Sequence, residues 1–424
     1  MRLPLNRPIL RSERVCALLL LVFAPATLAR ADSLTREQAV TEARAHNPEI
    51  RSLSAAIASA RGDVTTAGKW TNPELTVAPG FRSTAGSDQF HAVAELRQEL
   101  LFPGKRDLRV AVAQKNVAVQ ELALTAFQFQ LDARVRRAYD ALFLAQRAIA
   151  LRERRLALAH EFVEAAQKKV AAGVTSEFEA TRAEADVVRA EKSMRDARVA
   201  QSTARGALNA LLGREPLAAV EVIDSTRIDF SLPDEATFLA HVEKENPGLR
   251  VQDMTIEQAK LTVELERKLR MPDFTLGPNI EYLKDEQTYD LGVSLPLPLW
   301  DHRKGEIATA SAEQERTLAE RDRLRAEVLS DAGAAYESTA GALESLALFT
   351  PDLRARMNEA INAAAQGYRE GRVTLLTYIE IQRTFFEMQS DYIDAMQTLI
   401  DARAALETAA GVSLETLIET PSGR

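Results

Sequence analysis

Self-similarity along the chain constrains its fold more than any single motif, because the same landmarks come round twice in one order. Asn47-Pro48 returns as Asn246-Pro247 and Pro73 as Pro272, both at an offset of 199 residues. Ala138-Tyr139 returns as Ala335-Tyr336, Gly173 as Gly371, and the Leu212-Gly213 ending as Ala410-Gly411, at offsets of 197 or 198. Matches in constant order at a nearly constant spacing argue for a tandem duplication whose two copies fold alike. The expected organisation is a first repeat over 32–214, a linker over 215–232, a second repeat over 233–412 and a short tail over 413–424.

Each repeat opens with helix signals. Thr35-Arg36-Glu37-Gln38 reads as a capping box, and Asn47 before Pro48 reads as an N-cap with proline at the first helical position, a pairing repeated at Asn246 and Pro247. Pro73 and Pro272 stop the helical pattern. The period then changes to two: Phe90 to Leu96 and Tyr289 to Leu297 carry apolar residues at alternate places, with Glu74 to Phe81 and Phe274 to Tyr282 as partner strands. Polar stretches at Ser83 to Asp88 and Lys284 to Thr288 read as loop tips, so each repeat supplies one hairpin, over 73–102 and 272–300.

Long helical patterns follow, predicting helical hairpins over 105–213 and 303–411. Val135, Leu142, Ile149, Leu156, Val163 and Val170 lie at intervals of seven, joined by Leu131, Ala138, Ala145, Ala159 and Ala166, which makes a heptad seam with small residues for close approach. Ile379, Phe386, Ile393 and Ile400 repeat that spacing in the second copy. A helix from Lys105 to Val170 would be about 100 Å long. The returning helix from Ser176 is shorter, about 55 Å, and the opening helix adds about 30 Å, so two stacked helices match one long one as in a cylinder wall. The fold class expected is mainly α with a small β part.

No stretch of 18 uncharged apolar residues follows the first segment, so a membrane crossing would have to use strands. Four strands per chain are too few to close a barrel, and an open edge in hydrocarbon would leave unpaired backbone. Other copies must then complete it. Two copies would bring eight strands and three would bring twelve, and the arithmetic does not choose.

The start of the chain reads as a signal peptide over residues 1–31. Arg2 to Arg14 is basic, Val15 to Ala24 is apolar and too short to span a bilayer, and Ala29-Arg30-Ala31 offers the small-x-small cleavage pattern before Asp32. The single cysteine, Cys16, precedes the apolar run and is expected to leave with it. Removing the five Arg and one Glu of that segment takes the net charge from −8 to −12, which repels nucleic acid and anionic lipid.

The signal, the duplicated helix-hairpin-helix halves and the heptad coils together resemble the TolC family of outer-membrane efflux proteins. The resemblance is most specific at Gln98-Glu99-Leu100-Leu101-Phe102-Pro103-Gly104-Lys105-Arg106, at Pro296-Leu297-Pro298-Leu299-Trp300-Asp301, and at the turns near Gly173 and Gly371. Pro103 to Arg106 and Asp301 to Gly305 look most like the CzcC branch, which serves heavy-metal cation efflux.

The resemblance implies a homotrimer, with a twelve-stranded barrel in outer-membrane lipid continuous with a periplasmic α-helical barrel. It implies docking to a periplasmic adaptor protein and an inner-membrane pump of the resistance-nodulation-division type. It maps the adaptor-contacting tips to Gly173-Val174-Thr175 and Gly371-Arg372-Val373, and the acidic narrowing to Thr377 and Glu380, with Glu179 its first-repeat candidate. Thr377 departs from the acidic pattern. Carboxylates brought close together there would repel one another and attract cations, whereas solitary acids at helix starts simply suit the helix dipole. Trp70, Phe102 and Trp300 stand at strand ends on one side of the expected barrel, either as headgroup-level aromatics or as ordinary core residues.

Enzyme signatures are missing: no Walker A, Gly-x-Ser-x-Gly or dinucleotide fingerprint occurs, and His46, His91, His160, His241 and His302 are scattered singly. The expectation is a passive duct with no catalytic residue, no cofactor and no protein-built metal site, its cargo heavy-metal cations. The rivals are a soluble periplasmic coiled-coil adaptor, which leaves four amphipathic strands without a role, and a duct for organic toxicants.

Overall fold

The computed structural model describes residues 32–84, 86–223, 230–283 and 286–411. The expected signal segment 1–31, the last residue of the expected second repeat, Val412, the expected tail 413–424 and the tip residues Ala85, Lys284 and Asp285 lie outside them, as do linker residues 224–229.

The first repeat runs β1 (Asp32–Leu34), α1 (Arg36–His46), α2 (Pro48–Ala67), β2 (Glu74–Thr84), β3 (Ser87–Leu100), α3 (Lys105–Ala171) and α4 (Glu177–Leu212). A short strand, β4 (Val220–Val222), precedes the second repeat. That repeat holds α5 (Glu235–Glu245), α6 (Pro247–Leu269), β5 (Phe274–Leu283), β6 (Glu286–Ser294), α7 (Lys304–Ala347), α8 (Pro351–Arg369) and α9 (Leu375–Ala410). Apart from β1 and β4, the repeats share one element order, with α7 and α8 together standing where α3 stands.

The recurring residues make recurring contacts. Asn47 caps α2 by accepting from the Glu49 N–H at 2.8 Å, and Asn246 caps α6 by accepting from the Gly248 N–H at 2.9 Å. Tyr139 donates its hydroxyl to the Leu34 carbonyl, and Tyr336 donates to that of Pro233, each at 2.8 Å. The helix endings close back on the Asn-Pro junctions: a Cβ at Gly213 would lie 3.3 Å from the His46 side chain, and one at Gly411 would collide with the Pro247 ring. The landmarks are therefore the joints where short helices stack on the long ones.

Around each joint lies a core. In the first, Leu34, Ala39 and Ala43 pack on Leu131, Val135, Tyr139 and Leu142 of α3 and on Leu208 and Leu212 of α4. In the second, Phe238 and Val242 pack on Ala332, Ala335, Leu406 and Ala410. Burying each large side chain contributes about 1.5–3 kcal/mol. Arg44 on α1 reaches the buried Asp132 of α3 with Nε at 2.8 Å, and that pairing raises the guanidinium pKa.

Several expectations need correction. The loop tips are shorter than their polar composition suggested: Ser83 and Thr84 pair with Asp88 and Ser87, and Glu286, Gln287 and Thr288 pair with Leu283, Tyr282 and Glu281. Polar residues stay in strands there because both strands of each hairpin continue to supply backbone partners. At its other end β6 stops at Ser294 rather than Leu297, where Pro296 and Pro298 remove donors and Leu299 N–H turns back to the Leu297 carbonyl at 2.9 Å. The expected unbroken helix after residue 303 is split at Leu348 to Thr350, because Pro351 starts α8 with Thr350 as its N-cap. The linker is not featureless: β4 pairs in parallel with β1, Val220 opposite Asp32. The heptad seam also drifts. Val135 and Leu142 are fully buried, but Phe162 rather than Val163 fills the core farther along α3, as a straight helix of 3.6 residues per turn requires.

Candidate functional site

The hairpins assemble into one antiparallel sheet in the order β2-β3-β5-β6, with β2 and β6 at its edges. Its register sorts side chains cleanly because the pleat alternates. Leu75, Val77, Pro79 and Phe81 of β2 stand opposite Leu96, Ala94, Ala92 and Phe90 of β3. The same face continues through Ile280 and Tyr282 of β5 to Tyr289, Leu291 and Val293 of β6. Phe81, Leu291 and Val293 are between 67% and 76% exposed, so the apolar face is uncovered. The opposite face carries Thr76, Glu95, Asn279 and Asp290 in one cross-strand row, and Glu281 with Thr288 in the next. A sheet with one greasy exposed face and one acidic polar face suits lipid on one side and water on the other.

Where the sheet meets the helices, Trp70 is 57% and Trp300 91% exposed, which excludes the core-aromatic reading within the chain. Arg106 lies over the Trp70 ring at 5.0 Å. Phe102 is half-buried, with Lys268 over its ring at 5.1 Å and its N–H donating to Asp273 at 2.6 Å. The buried Lys105 ammonium pairs with the same Asp273 at 2.8 Å, so an acid of the second repeat clamps the strand-to-helix corner of the first. Neither partner was legible as a pair in the sequence, since 168 residues separate them.

At the far end, α3 and α4 join through residues 172–176 and α8 and α9 through residues 370–374, turns of equal length. Gly173 and Gly371 adopt φ of +68° and +77°, the left-handed region that glycine enters without strain. Val174 N–H reaches back to the Lys169 carbonyl at 2.9 Å and Arg372 N–H to that of Gly367 at 2.7 Å, the six-to-one bond of a Schellman ending. Val174 and Arg372 are exposed, while Thr175 and Val373 are half-buried. Thr374 then caps α9 by accepting from the Thr377 N–H at 3.3 Å, and the two threonine hydroxyls lie 2.9 Å apart.

The two turns are held together by the residues flanking them. Phe162 of α3 stacks on Tyr378 at 5.0 Å and packs on Tyr368 at 4.8 Å, and the tyrosines lie 5.8 Å apart. Lys169 donates to the Tyr368 carbonyl at 2.9 Å, and Arg369 pairs with Glu161 at 2.6 Å. Burial first, and then the Glu161 charge, push the Tyr378 phenol up to about 12. Burial and the Glu179 charge likewise raise Tyr368. Glu179 is thus half-buried beside this aromatic cluster, whereas Thr377 and Glu380 are exposed one turn apart at the start of α9. Sequence reading overlooked Arg182. It stands 198 residues before Glu380, as Glu179 stands 198 before Thr377, so corresponding positions on α4 and α9 carry unlike groups.

The sequence profile described as outer membrane efflux protein matches residues 39–214 and 239–412, once per repeat. The chain is 25% identical over 390 residues to the cobalt-zinc-cadmium resistance protein CzcC of Cupriavidus metallidurans, covering 90% of this chain and 91% of that one. It is 23% identical over 218 residues to the pyoverdine export outer membrane protein OpmQ of Pseudomonas aeruginosa, spanning 48% of this chain and 45% of that protein. Among solved structures, the outer membrane protein VceC of Vibrio cholerae superposes with a TM-score of 0.71 at 18% identity, over 89% of this chain and 96% of that one.

Proposed function

This chain belongs to the outer membrane efflux protein family, and on that premise we propose that it is the exit duct of a tripartite efflux system. Like the family, it is a channel of the outer membrane and not an enzyme. In the proposed assembly three copies close their sheets into a twelve-stranded barrel, with the apolar face against lipid and the polar face around water. The long helices continue the wall through the periplasm to the paired turns.

The observation that carries this reading is the two-faced sheet: nothing but lipid or a like surface matches so much uncovered apolar area on strands. Conduction is passive. The polar inner face, with Glu281 and Asp290 beside a Glu95 carboxylate already paired with Arg97 at 2.7 Å, draws cations with their hydration water. The narrowing lies at the turns, where Glu179, Thr377 and Glu380 face the path and Gly173-Val174-Thr175 and Gly371-Arg372-Val373 meet a periplasmic adaptor. Trp70, Phe102 and Trp300 sit at headgroup level. The partner pump is of the resistance-nodulation-division type and the cargo is heavy-metal cations, a reading supported by the similarity to CzcC along nearly the whole chain.

A deletion strain tests the cargo: loss of tolerance to divalent heavy metals with unchanged tolerance to organic toxicants is expected, and the reverse pattern would transfer the duct to organic substrates. Fractionation tests the duct itself. Recovery in the soluble periplasm without detergent would leave the adaptor reading in its place.

A further inference from the structure

A cavity of about 880 Å³ opens over the second joint, walled by α3 on one side and α7 on the other, with α9 and the start of α6 between them. Small side chains make the room: Ala133 of α3, Ala334 of α7 and Ala404 and Ala405 of α9 stand where larger ones would fill it. Phe129 and Val328 add apolar surface. The volume is that of sites for drug-sized molecules, about 300–1,000 Å³.

The cavity lies on the face away from the joint cores. On α3, Gln130, Ala133 and Arg137 form a stripe on the side opposite Leu131, Val135 and Leu142, which meet the first core. On α9, Asp401, Ala405 and Thr408 likewise stand opposite Leu406 and Ala410, which meet α5. A wall that closes into a pipe must carry its extra layer, α1 and α5, outside the bore. On the duct reading the cavity therefore faces the bore.

Among the described residues, four charged side chains line it. Arg137 and Asp401 pair with each other at 2.5 Å and cancel. Arg134 of α3 and Asp331 of α7 remain, both exposed and neither with an ion-pair partner among the described residues. They hold the same position in the two repeats, 197 residues apart like Tyr139 and Tyr336. A lone cation on one wall and a lone anion on the other match a ligand that carries both charges, at separate ends. We propose that this cavity binds a drug-sized organic zwitterion, its anionic end at Arg134, its cationic end at Asp331 and its apolar body over the alanines of α9. A metal ion is a poor match, because Asp331 is the one lining acid without a paired cation, and Arg134 repels it. The site needs only the folded chain, and its place on the bore rests on the duct reading. Such a ligand occupies the wall, whatever the cargo is.

Rhodamine B tests the class, since it joins a carboxylate to a cationic ring system, and its ethyl ester keeps the cation but loses the anion. With the full processed protein in nanodiscs, and empty discs subtracted, fluorescence anisotropy should show saturable binding of rhodamine B about tenfold tighter than of the ester. Arg134→Gln should weaken rhodamine B alone, and Asp331→Asn should weaken both dyes. Ala405 is exposed, so Ala405→Phe fills the cavity without overpacking a core and should abolish saturable binding. Combining Arg134→Asp with Asp331→Arg should restore most of the affinity that either change alone loses, which a misfolded variant would not do. Equal affinity for the two dyes, or binding unaltered by Ala405→Phe, overturns the site. In planar bilayers rhodamine B should lower the wild-type conductance and leave that of the Ala405→Phe variant unchanged. Dye that binds without lowering conductance overturns the bore-side placement, and a protein that binds dye yet opens no channel overturns the duct reading while the site stands.

Discussion

Tyr378 shows how a single side chain sets the alkaline limit of the turn region. Its neutral phenol is the form that the stack with Phe162 and Tyr368 accepts, and its pKa is raised from the ordinary 10 to about 12. A raised folded-state pKa gives stabilisation that is full below pH 10 and is lost as pH climbs toward 12. Tyr378→Phe should therefore remove the late part of the tyrosinate absorbance titration and hold the near-ultraviolet dichroism of the turns to higher pH. Glycines give a second residue-scale contrast. Gly371→Ala meets no atom within 4 Å and should cost only the left-handed backbone penalty, about 1–2 kcal/mol, while Gly411→Ala should cost clearly more because its methyl meets Pro247. Urea unfolding of the two variants measures the difference. Glu380→Gln should lower cation preference in planar-bilayer conductance, and with Arg182 left at the corresponding position the residual preference should move toward anions. These residues differ in how far sequence revealed them. Asn47, Asn246 and the paired glycines were legible because capping and left-handed turns are local chemistry, whereas Asp273 and Phe162 act through partners far along the chain.

At the level of elements, periodicity exposed the strands and long helices, and the errors fell where a neighbour decides the outcome. A polar composition at Ser83 to Asp88 resembles a loop, yet each strand there has a backbone partner that keeps it extended. Pro351 was visible but was not weighed against the strong helical pattern around it, and it divides α7 from α8. The cluster binding α3 to α8 and α9 yields an element-scale expectation. Phe162→Ala should cost about 3–5 kcal/mol locally and should make the segment around Gly173 and Gly371 exchange amide hydrogens faster, with strands β2 to β6 unchanged. Uniform acceleration across the chain would instead mean that the turns have no stability of their own.

For the whole molecule, the duplication made the architecture readable before any contact was known, since two hairpins and two helical pairs in one order leave few arrangements. The meeting of β3 with β5 across the repeats was not readable, because strand order depends on which edge the second hairpin approaches. Extraction with mild detergent should release a species whose mass is three times that of the processed chain, resistant to dissociation until heated. Size-exclusion chromatography with light scattering gives the count directly.

The unlike turns bear on stoichiometry. One polypeptide ends in a neutral knuckle, Val174-Thr175, and in a charged one, where Arg372 pairs with Glu370. A ring of identical visitors approaching such a rim would meet two kinds of socket in alternation. Each visitor must then either tolerate both or join a second to span a pair, so titration should saturate in two unequal steps or at one guest pair per chain.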